Sequence, residues 1–172
     1  MFNRIIGTFK LDRHLFEEIE RSEDATLQAL IIVLFISLVS SFGYALGAQS
    51  AHRSFLPQFV GSFIWSLIGW ILWAVVSFCV GKYYFKGQGD LMGMVRGIGF
   101  SYLPQVLAVI PCLGALVGIS WSLAAGYVAA RQSFKLDNVK TLFTILIGFG
   151  LYLAGHAILS STLGGFTWFM ML

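Results

Sequence analysis

Few side chains in this sequence could do chemistry, and none of them recur at the spacing that catalysis needs. The 172 residues include eight carboxylates, three histidines and two cysteines. There is no His/Glu metal pattern, no Ser/His/Asp set, no phosphate loop and no pair of carboxylates inside an apolar stretch. We therefore predict that the protein is not an enzyme, has no catalytic residues or metal site, and uses no cofactor.

Four of the polar residues inside apolar segments are candidate functional residues, because such groups are costly in lipid and often functional. They are Ser101, Gln105, Tyr152 and His156. Pro104 lies between the first two, and a proline kinks a helix or frees a carbonyl that a neighbouring polar side chain can satisfy. A binding notch at Pro104 is the alternative to a purely structural kink. For His156, a neutral ring bonded to a neighbouring helix is favoured over a functional role.

The elements that position these residues follow from the distribution of charge. Four stretches of 28, 28, 34 and 32 residues carry no charged side chain; they cover residues 25–52, 54–81, 97–130 and 141–172. About 20 apolar helical residues cross the roughly 30 Å core of a bilayer. The composition agrees, with 58% hydrophobic and 11% charged residues. The chain is therefore predicted to be an all-α integral membrane protein.

The basic residues predict its topology. Ten of the eleven basic residues lie in three clusters, and Arg53 stands alone. If the clusters are cytoplasmic, two helices must fit between the second and third clusters, with a break at residues 111–114. The result is five transmembrane helices, with the amino terminus cytoplasmic and the carboxyl terminus outside. They lie near 26–49, 57–81, 93–110, 113–130 and 141–161. A re-entrant hairpin formed by the third and fourth helices is the alternative.

Residues 1–24 form a separate cytoplasmic segment, and residues 25–172 form the five-helix domain. In the segment, apolar residues recur near helical spacing between charged ones, which predicts a short amphipathic helix lying flat in the interface. It could be an anchor that fixes the depth of the first span, or a docking platform for a protein partner or anionic lipid.

Small residues at four-residue intervals predict close helix packing, because helices in lipid associate through small side chains. The fourth helix has such a ridge at Gly114, Gly118, Ser122 and Gly126. The third helix has one at Gly93, Gly97, Ser101 and Gln105. The two helices should therefore form a tight antiparallel hairpin. A more polar ridge on the fifth helix contains Thr144, Gly148, Tyr152, His156, Ser160 and Gly164.

The run at residues 87–93 and the run at residues 99–104 resemble motifs of the Yip1 family. The resemblance to this family covers nearly the whole chain. Eukaryotic members have an Asp-Leu-Tyr-Gly-Pro motif before the third span and a Gly-Tyr-x-x-x-Pro motif inside it. The candidate interaction residues are those that match these motifs and the residue at the position of the second motif's tyrosine. They are Asp90, Leu91, Gly93, Gly99, Phe100 and Pro104. Met94 stands where the first motif has proline, and Phe100 where the second has tyrosine.

The resemblance implies a five-helix membrane bundle. The eukaryotic members of the family bind Rab-type GTPases and act in vesicle trafficking between endoplasmic reticulum and Golgi. Because the long amino-terminal region of those proteins has no counterpart here, the chain resembles compact prokaryotic members. We expect it in a prokaryotic cell membrane rather than in endoplasmic reticulum or Golgi.

Two functions remain. The first is a non-enzymatic scaffold or adaptor that engages a protein partner or lipid through its cytoplasmic face, since all eight acids and ten basic residues are predicted there. The second is a passive conduit or lipid-handling protein that uses the Pro104 and His156 regions. The expected partners are the bilayer and a cytoplasmic protein or a second copy of the chain, with no nucleic acid.

Overall fold

The structure is a computed structural model that describes residues 2–49, 52–109 and 113–162. Helices account for nearly all of these residues, and no strand occurs among them. A π-helical turn, Val80–Tyr84, follows α4, and a 3-10 helix, Leu103–Val109, follows α5. The α-helices are α1 Phe2–Phe9, α2 Arg13–Arg21, α3 Asp24–Gln49, α4 Phe55–Cys79, α5 Leu91–Ser101, α6 Leu113–Phe134 and α7 Asn138–Thr162.

Three helices in this part of the chain are long and apolar enough to cross a bilayer. They are Asp24–Gln49, Phe55–Tyr84 and Asn138–Ile158, with mean hydropathies of 2.3, 2.2 and 1.7. Large apolar side chains such as Phe35 and Ile64 are half exposed on their outer surfaces. Such a surface is suited to lipid and not to water. The prediction of an integral, multi-pass membrane protein is confirmed.

The third predicted helix differs from the single helix expected over residues 93–110. The α-helix ends at Ser101, and the chain continues from Leu103 as a 3-10 helix. Pro104 explains the change, because it has no N–H to donate to the carbonyl four residues earlier and its ring clashes with that carbonyl. The tighter helix keeps the chain hydrogen-bonded, as in the bond from Gln105 N to Tyr102 O.

The predicted antiparallel hairpin is confirmed in the residues described. A Cβ added to Gly97 of α5 would lie 2.8 Å from the Cβ of Ala129 in α6. A Cβ on Gly118 of α6 would lie 2.9 Å from the carbonyl oxygen of Pro104. The residue numbers of the two pairs change in opposite directions, so the helices are antiparallel and nearly touch along their glycines. Of the predicted break at residues 111–114, residues 111 and 112 lie outside the described residues, and α6 begins at Leu113.

The other long helices pack around this hairpin. A hydrogen bond of 2.7 Å joins the hydroxyls of Ser37 and Ser66, which links α3 to α4. The ridge on α7 faces α4, as a Cβ on Gly148 would meet Ser77 Oγ and would lie 2.8 Å from Trp73 Cδ1. The Ser160 side chain and Gly164, which belong to the predicted ridge, lie outside what the structure describes.

The amino-terminal segment is amphipathic and helical as predicted, and it packs against the bundle. It forms two helices, with a turn at Leu11 where φ is 55°. Phe16 and Ile19 of α2 are buried in the common core. The indole N–H of Trp121 in α6 donates to the carbonyl of Phe9 at 3.1 Å. The apolar side of the segment is therefore covered by protein instead of only by lipid.

The hairpin contact can be tested with matched glycine substitutions. Gly118→Ala should lower the free energy of unfolding by about 1–3 kcal/mol, because the added methyl group meets backbone atoms of Pro104 and Gln105 that cannot move independently. Gly150→Ala on α7 is the control, since no heavy atom lies within 4 Å of its added Cβ. Reversible unfolding in detergent would measure both. Equal stabilities for the two variants would contradict the close contact.

Candidate functional site

The three charged clusters of the sequence meet at one end of the bundle. We call this surface the charged face, and it consists of α1, α2, residues 80–96 and residues 131–140. These segments are widely separated along the chain, and the helices α3 to α6 bring them together. The charged face is therefore a property of the fold rather than of any one segment.

A single aromatic side chain holds two of these segments together. Phe134, the last residue of α6, is 1% exposed. Cβ atoms added to Gly81, Gly87 and Gly89 would lie 2.6, 2.7 and 2.8 Å from atoms of its side chain. The Cβ added to Gly89 would also lie 2.5 Å from the hydroxyl of the neighbouring Ser133. The backbone N–H of Gln88 also donates to the Phe134 carbonyl at 3.1 Å. Three glycines thus let the 80–89 segment wrap around one ring.

Two basic residues of the charged face are engaged inside the protein. Arg96 of α5 donates to the hydroxyl of Thr26 and to the backbone carbonyl of Glu20, each at 2.7 Å. The Lys82 ammonium donates to the Gly89 carbonyl at 3.2 Å. Since Arg96 touches α2 and α3 from α5, it fixes the amino-terminal helices against the hairpin.

Asp90 begins α5 as its N-cap. Its carboxylate accepts a hydrogen bond of 3.1 Å from the backbone N–H of Gly93, which satisfies one of the free donors at the helix start. Glu20 of α2 lies directly above, because a Cβ on Gly93 would be 2.7 Å from the Glu20 Cγ. Burial raises the pKa of Glu20, the nearby Ser133 hydroxyl lowers it, and the Asp90 carboxylate raises it further.

The α1 helix is joined to the same corner by Arg4. Its guanidinium pairs with the Glu18 carboxylate at 2.7 Å and donates to the Gln28 side chain at 3.0 Å. The Arg4 side chain is only 15% exposed. Most of its hydrogen-bonding capacity is therefore used to connect α1, α2 and α3.

The Yip1 domain model matches residues 6–162. The chain belongs to the Yip1 family. Comparisons with curated proteins and with solved structures gave no match. The match confirms the resemblance seen in the sequence. It includes residues 6–9 at the end of α1 and all of α2 to α7.

In this Yip1 domain, the first family motif builds the start of α5. Asp90 caps the helix and Gly93 admits Glu20. Met94, at the position of the motif proline, is fully buried, and its N–H donates to the Asp90 carbonyl at 3.2 Å. A proline could not make this bond. Asp90 and Leu91 are exposed, so these two motif residues can also be reached from solution.

The second motif lies inside the bundle. A Cβ on Gly99 would lie 2.7 Å from the Cβ of Ala29 and 3.3 Å from the indole nitrogen of Trp70, so this glycine lets α3 and α4 approach α5. Phe100 is fully buried, and Pro104 is buried at the change to 3-10 helix. These three candidate interaction residues therefore have structural roles in the Yip1 fold.

The polar intramembrane residues have separate partners. Ser101 donates to the Gly97 carbonyl of its own helix at 2.7 Å. Gln105 is half-buried, and its Cα lies against Gly118 of α6. Neither residue lines the cleft at Arg131 or the cleft at Glu18, both on the charged face.

On α7, the ring of Tyr152 stacks on Trp65 and Phe149. The His156 ring contacts the rings of Tyr44 in α3 and Tyr152. These contacts agree with the structural interpretation of His156. No three acidic, histidine or cysteine residues in the described part of the chain lie close enough to share a metal ion.

The packing ridges also have defined partners. Gly126 of α6 faces the ring of Trp73 at 3.2 Å and Ile98 at 3.5 Å, measured from an added Cβ. Ser122 is fully buried and Gly114 is buried. The ridge predicted at these positions thus faces the interior, as expected.

The sequence did not point to Phe134 or Arg96 as organising residues, or to Glu20 as a partner of the first motif. Gly81, Gly87 and Gly89 were a local signal that some bulky group approaches this segment closely. Nothing in their spacing identified Phe134, which lies some 45 residues further along. Contacts of this range depend on the tertiary fold.

The capping role of Asp90 predicts different results for two substitutions. Asp90→Ala should lower the free energy of unfolding by about 0.5–2 kcal/mol, because the Gly93 N–H loses its acceptor. Asp90→Asn should keep most of the stability, since asparagine caps helices as well as aspartate does. Unfolding in detergent would measure both. If the asparagine variant lost as much stability as the alanine variant, the negative charge and not the cap would be what matters.

Proposed function

We propose that this Yip1 protein is a non-enzymatic scaffold or adaptor whose charged face lies on the cytoplasmic side and engages a protein partner. The observation that supports it most strongly is the assembly of three distant charged segments around Phe134 and Arg96. Loops that only connect helices would not need buried glycine contacts or an arginine that points into the protein. These contacts hold the surface in one conformation, which favours recognition.

Exposed aromatic residues on the charged face add to this support. Tyr83 and Tyr84, in the π-helical turn after α4, are 74% and 78% exposed. Tyrosine is common at binding hot spots because it offers a large contact area with few rotatable bonds. The two rings are on the segment that Phe134 holds in place, so we propose them as part of the partner site.

The proposed topology is the five-helix one, with a cytoplasmic amino terminus, an outside carboxyl terminus and a prokaryotic cell membrane as its location. Trp73 of α4 contacts Gly126 of α6, which sets the relative depth of the two helices. At 1.5 Å per residue, α4 extends about 27 Å outward from Trp73 to Phe55, and α6 extends about 20 Å from Gly126 to Leu113. The hairpin tip therefore comes within about 7 Å of the outer end of α4. This depth favours a crossing over a shallow re-entrant hairpin.

The alternative function is a passive conduit or a lipid-handling protein. The observation in its favour is that the hydroxyls of Tyr102 and Ser122, both fully buried, have no hydrogen-bond partner among the described residues. The scaffold is preferred because the Pro104 and His156 groups, which the conduit would need together, contact different parts of the bundle.

Cysteine labelling tests the topology. In a background with Cys79→Ser and Cys112→Ser, single cysteines at Gln88 and Val139 should react with an impermeant maleimide from the cytoplasmic side, and one at Gln49 from the outside. With the native Cys112 restored alone, labelling from the outside is expected because the predicted turn reaches that surface. Labelling of Gln88 and Val139 from opposite sides would refute five spans. Protection of Cys112 from the outside would favour the re-entrant hairpin.

Photo-crosslinking tests the scaffold function. A benzoyl-phenylalanine at Tyr83 or Tyr84 should capture the same protein from native membranes at both positions, or a second copy of the chain. The matched control is the same group at Phe35, which is 59% exposed on the apolar surface of α3 and should capture lipid. If neither tyrosine position gave a protein adduct absent from the control, the scaffold proposal would be wrong.

A further inference from the structure

A small cleft opens in the charged face between α2, α6 and α7. Its volume is about 200 Å³, and its lining residues are Arg13, Tyr127, Val128, Arg131, Gln132 and Asn138. The space is large enough to admit a phosphate group.

The two arginines of the cleft have no acidic partner within the described residues. Three other basic residues of the charged face do have one, since Arg4 pairs with Glu18, Arg21 pairs with Glu17, and Lys140 lies 3.6 Å from Asp137. A guanidinium is always charged and prefers to bind an oxyanion through two parallel hydrogen bonds. Two unneutralised arginines on one small cleft are therefore an arrangement that favours an anion.

Neutral neighbours hold one of these arginines in position. Arg131 donates to the side-chain oxygen of Asn138, which also accepts a hydrogen bond of 3.0 Å from the Tyr127 hydroxyl. The amide oxygen orients the guanidinium without cancelling its charge. Since a guanidinium has five N–H donors and this contact uses one of them, donors remain for a ligand.

The depth of the cleft matches the headgroup layer of a membrane. Asn138, which lines the cleft, is the first residue of the apolar helix Asn138–Ile158 that can cross a bilayer. Arg131 lies about 7.5 Å from Gly126 along α6, toward the same charged end. The end of a membrane-spanning helix lies at the boundary between acyl chains and headgroups. The cleft therefore faces lipid phosphates.

We propose that this cleft binds a phosphate oxyanion, with Arg13 and Arg131 as its two ligands, and that an anionic phospholipid headgroup supplies it. The inference rests on the proposed function only in that it assigns the charged face to the cytoplasmic headgroup layer. Bound lipid would join α2 to the start of α7, two parts of the charged face that meet at this cleft.

Binding to the full-length protein in detergent tests the proposal. The probes are a short-chain phosphatidylglycerol, a short-chain phosphatidylcholine and inorganic phosphate, and native mass spectrometry counts the molecules retained. The Arg13→Gln, Arg131→Gln double variant should bind phosphatidylglycerol about a hundredfold more weakly, as expected for two lost charge-assisted hydrogen bonds. The charge-matched control, Lys10→Gln with Lys86→Gln, changes two exposed residues that do not line the cleft and should bind normally.

The probes separate the two sources of phosphate. If the glutamine double variant selectively loses phosphatidylglycerol binding, and the wild-type protein retains no inorganic phosphate, the result supports a lipid headgroup site. Retention of inorganic phosphate with the same dependence on the two arginines supports the oxyanion site and assigns it to a soluble ligand. Equal weakening by the cleft and control variants would overturn the proposal, because the attraction would then be nonspecific charge.

A third variant separates the site from the stability of the fold. Arg13→Lys with Arg131→Lys keeps both charges and loses the paired N–H geometry, so its lipid binding should fall between wild type and the glutamine variant. Wild-type binding by a folded glutamine variant would also overturn the proposal. Crosslinking from Tyr83 in the same variants is independent: lost lipid with intact crosslinks leaves the scaffold function standing, and the reverse result leaves the cleft standing.

Discussion

The antiparallel contact between α6 and the pair formed by α5 and its 3-10 continuation is the interaction on which the rest of this structure depends. In lipid the hydrophobic effect gives helices little reason to associate, so backbone proximity must supply the attraction. Gly97 and Gly118 allow it at two levels of the hairpin. Because α2 packs on both helices and Phe134 ends one of them, the charged face exists only while this hairpin is closed.

The sequence predicted those features that depend on spacing along one helix. Charge-free stretches identified the membrane class, the basic clusters required a hairpin, and the ridge at Gly118 and Gly126 identified its packing side. It did not predict that the α-helix would give way to a 3-10 helix at Tyr102, because a proline can produce either a kink or a change of helix type. The Pro104 carbonyl also contacts α6 at Gly118, and no pattern within the third helix specifies that contact.

The candidate site was harder to predict because its contacts join residues far apart in the chain. Arg96 reaches Thr26 and the Glu20 carbonyl over separations of 70 and 76 residues. An arginine near a predicted helix end could equally have faced water or a lipid phosphate. The family motif was recognisable as residues, but its local tasks, capping by Asp90 and the admission of Glu20 by Gly93, required coordinates.

A count of the charges on the charged face therefore overstates what that surface offers to a partner. Arg4, Lys82 and Arg96 donate hydrogen bonds within the protein. They therefore stabilise the surface, but these donors are not available to a partner. Arg13 and Arg131 differ because no carboxylate of the described residues neutralises them. The first group makes the face rigid and the second leaves it with unbalanced positive charge. A rigid surface with a localised charge can select one anion or one partner, whereas the same charges on mobile loops would attract many without discrimination.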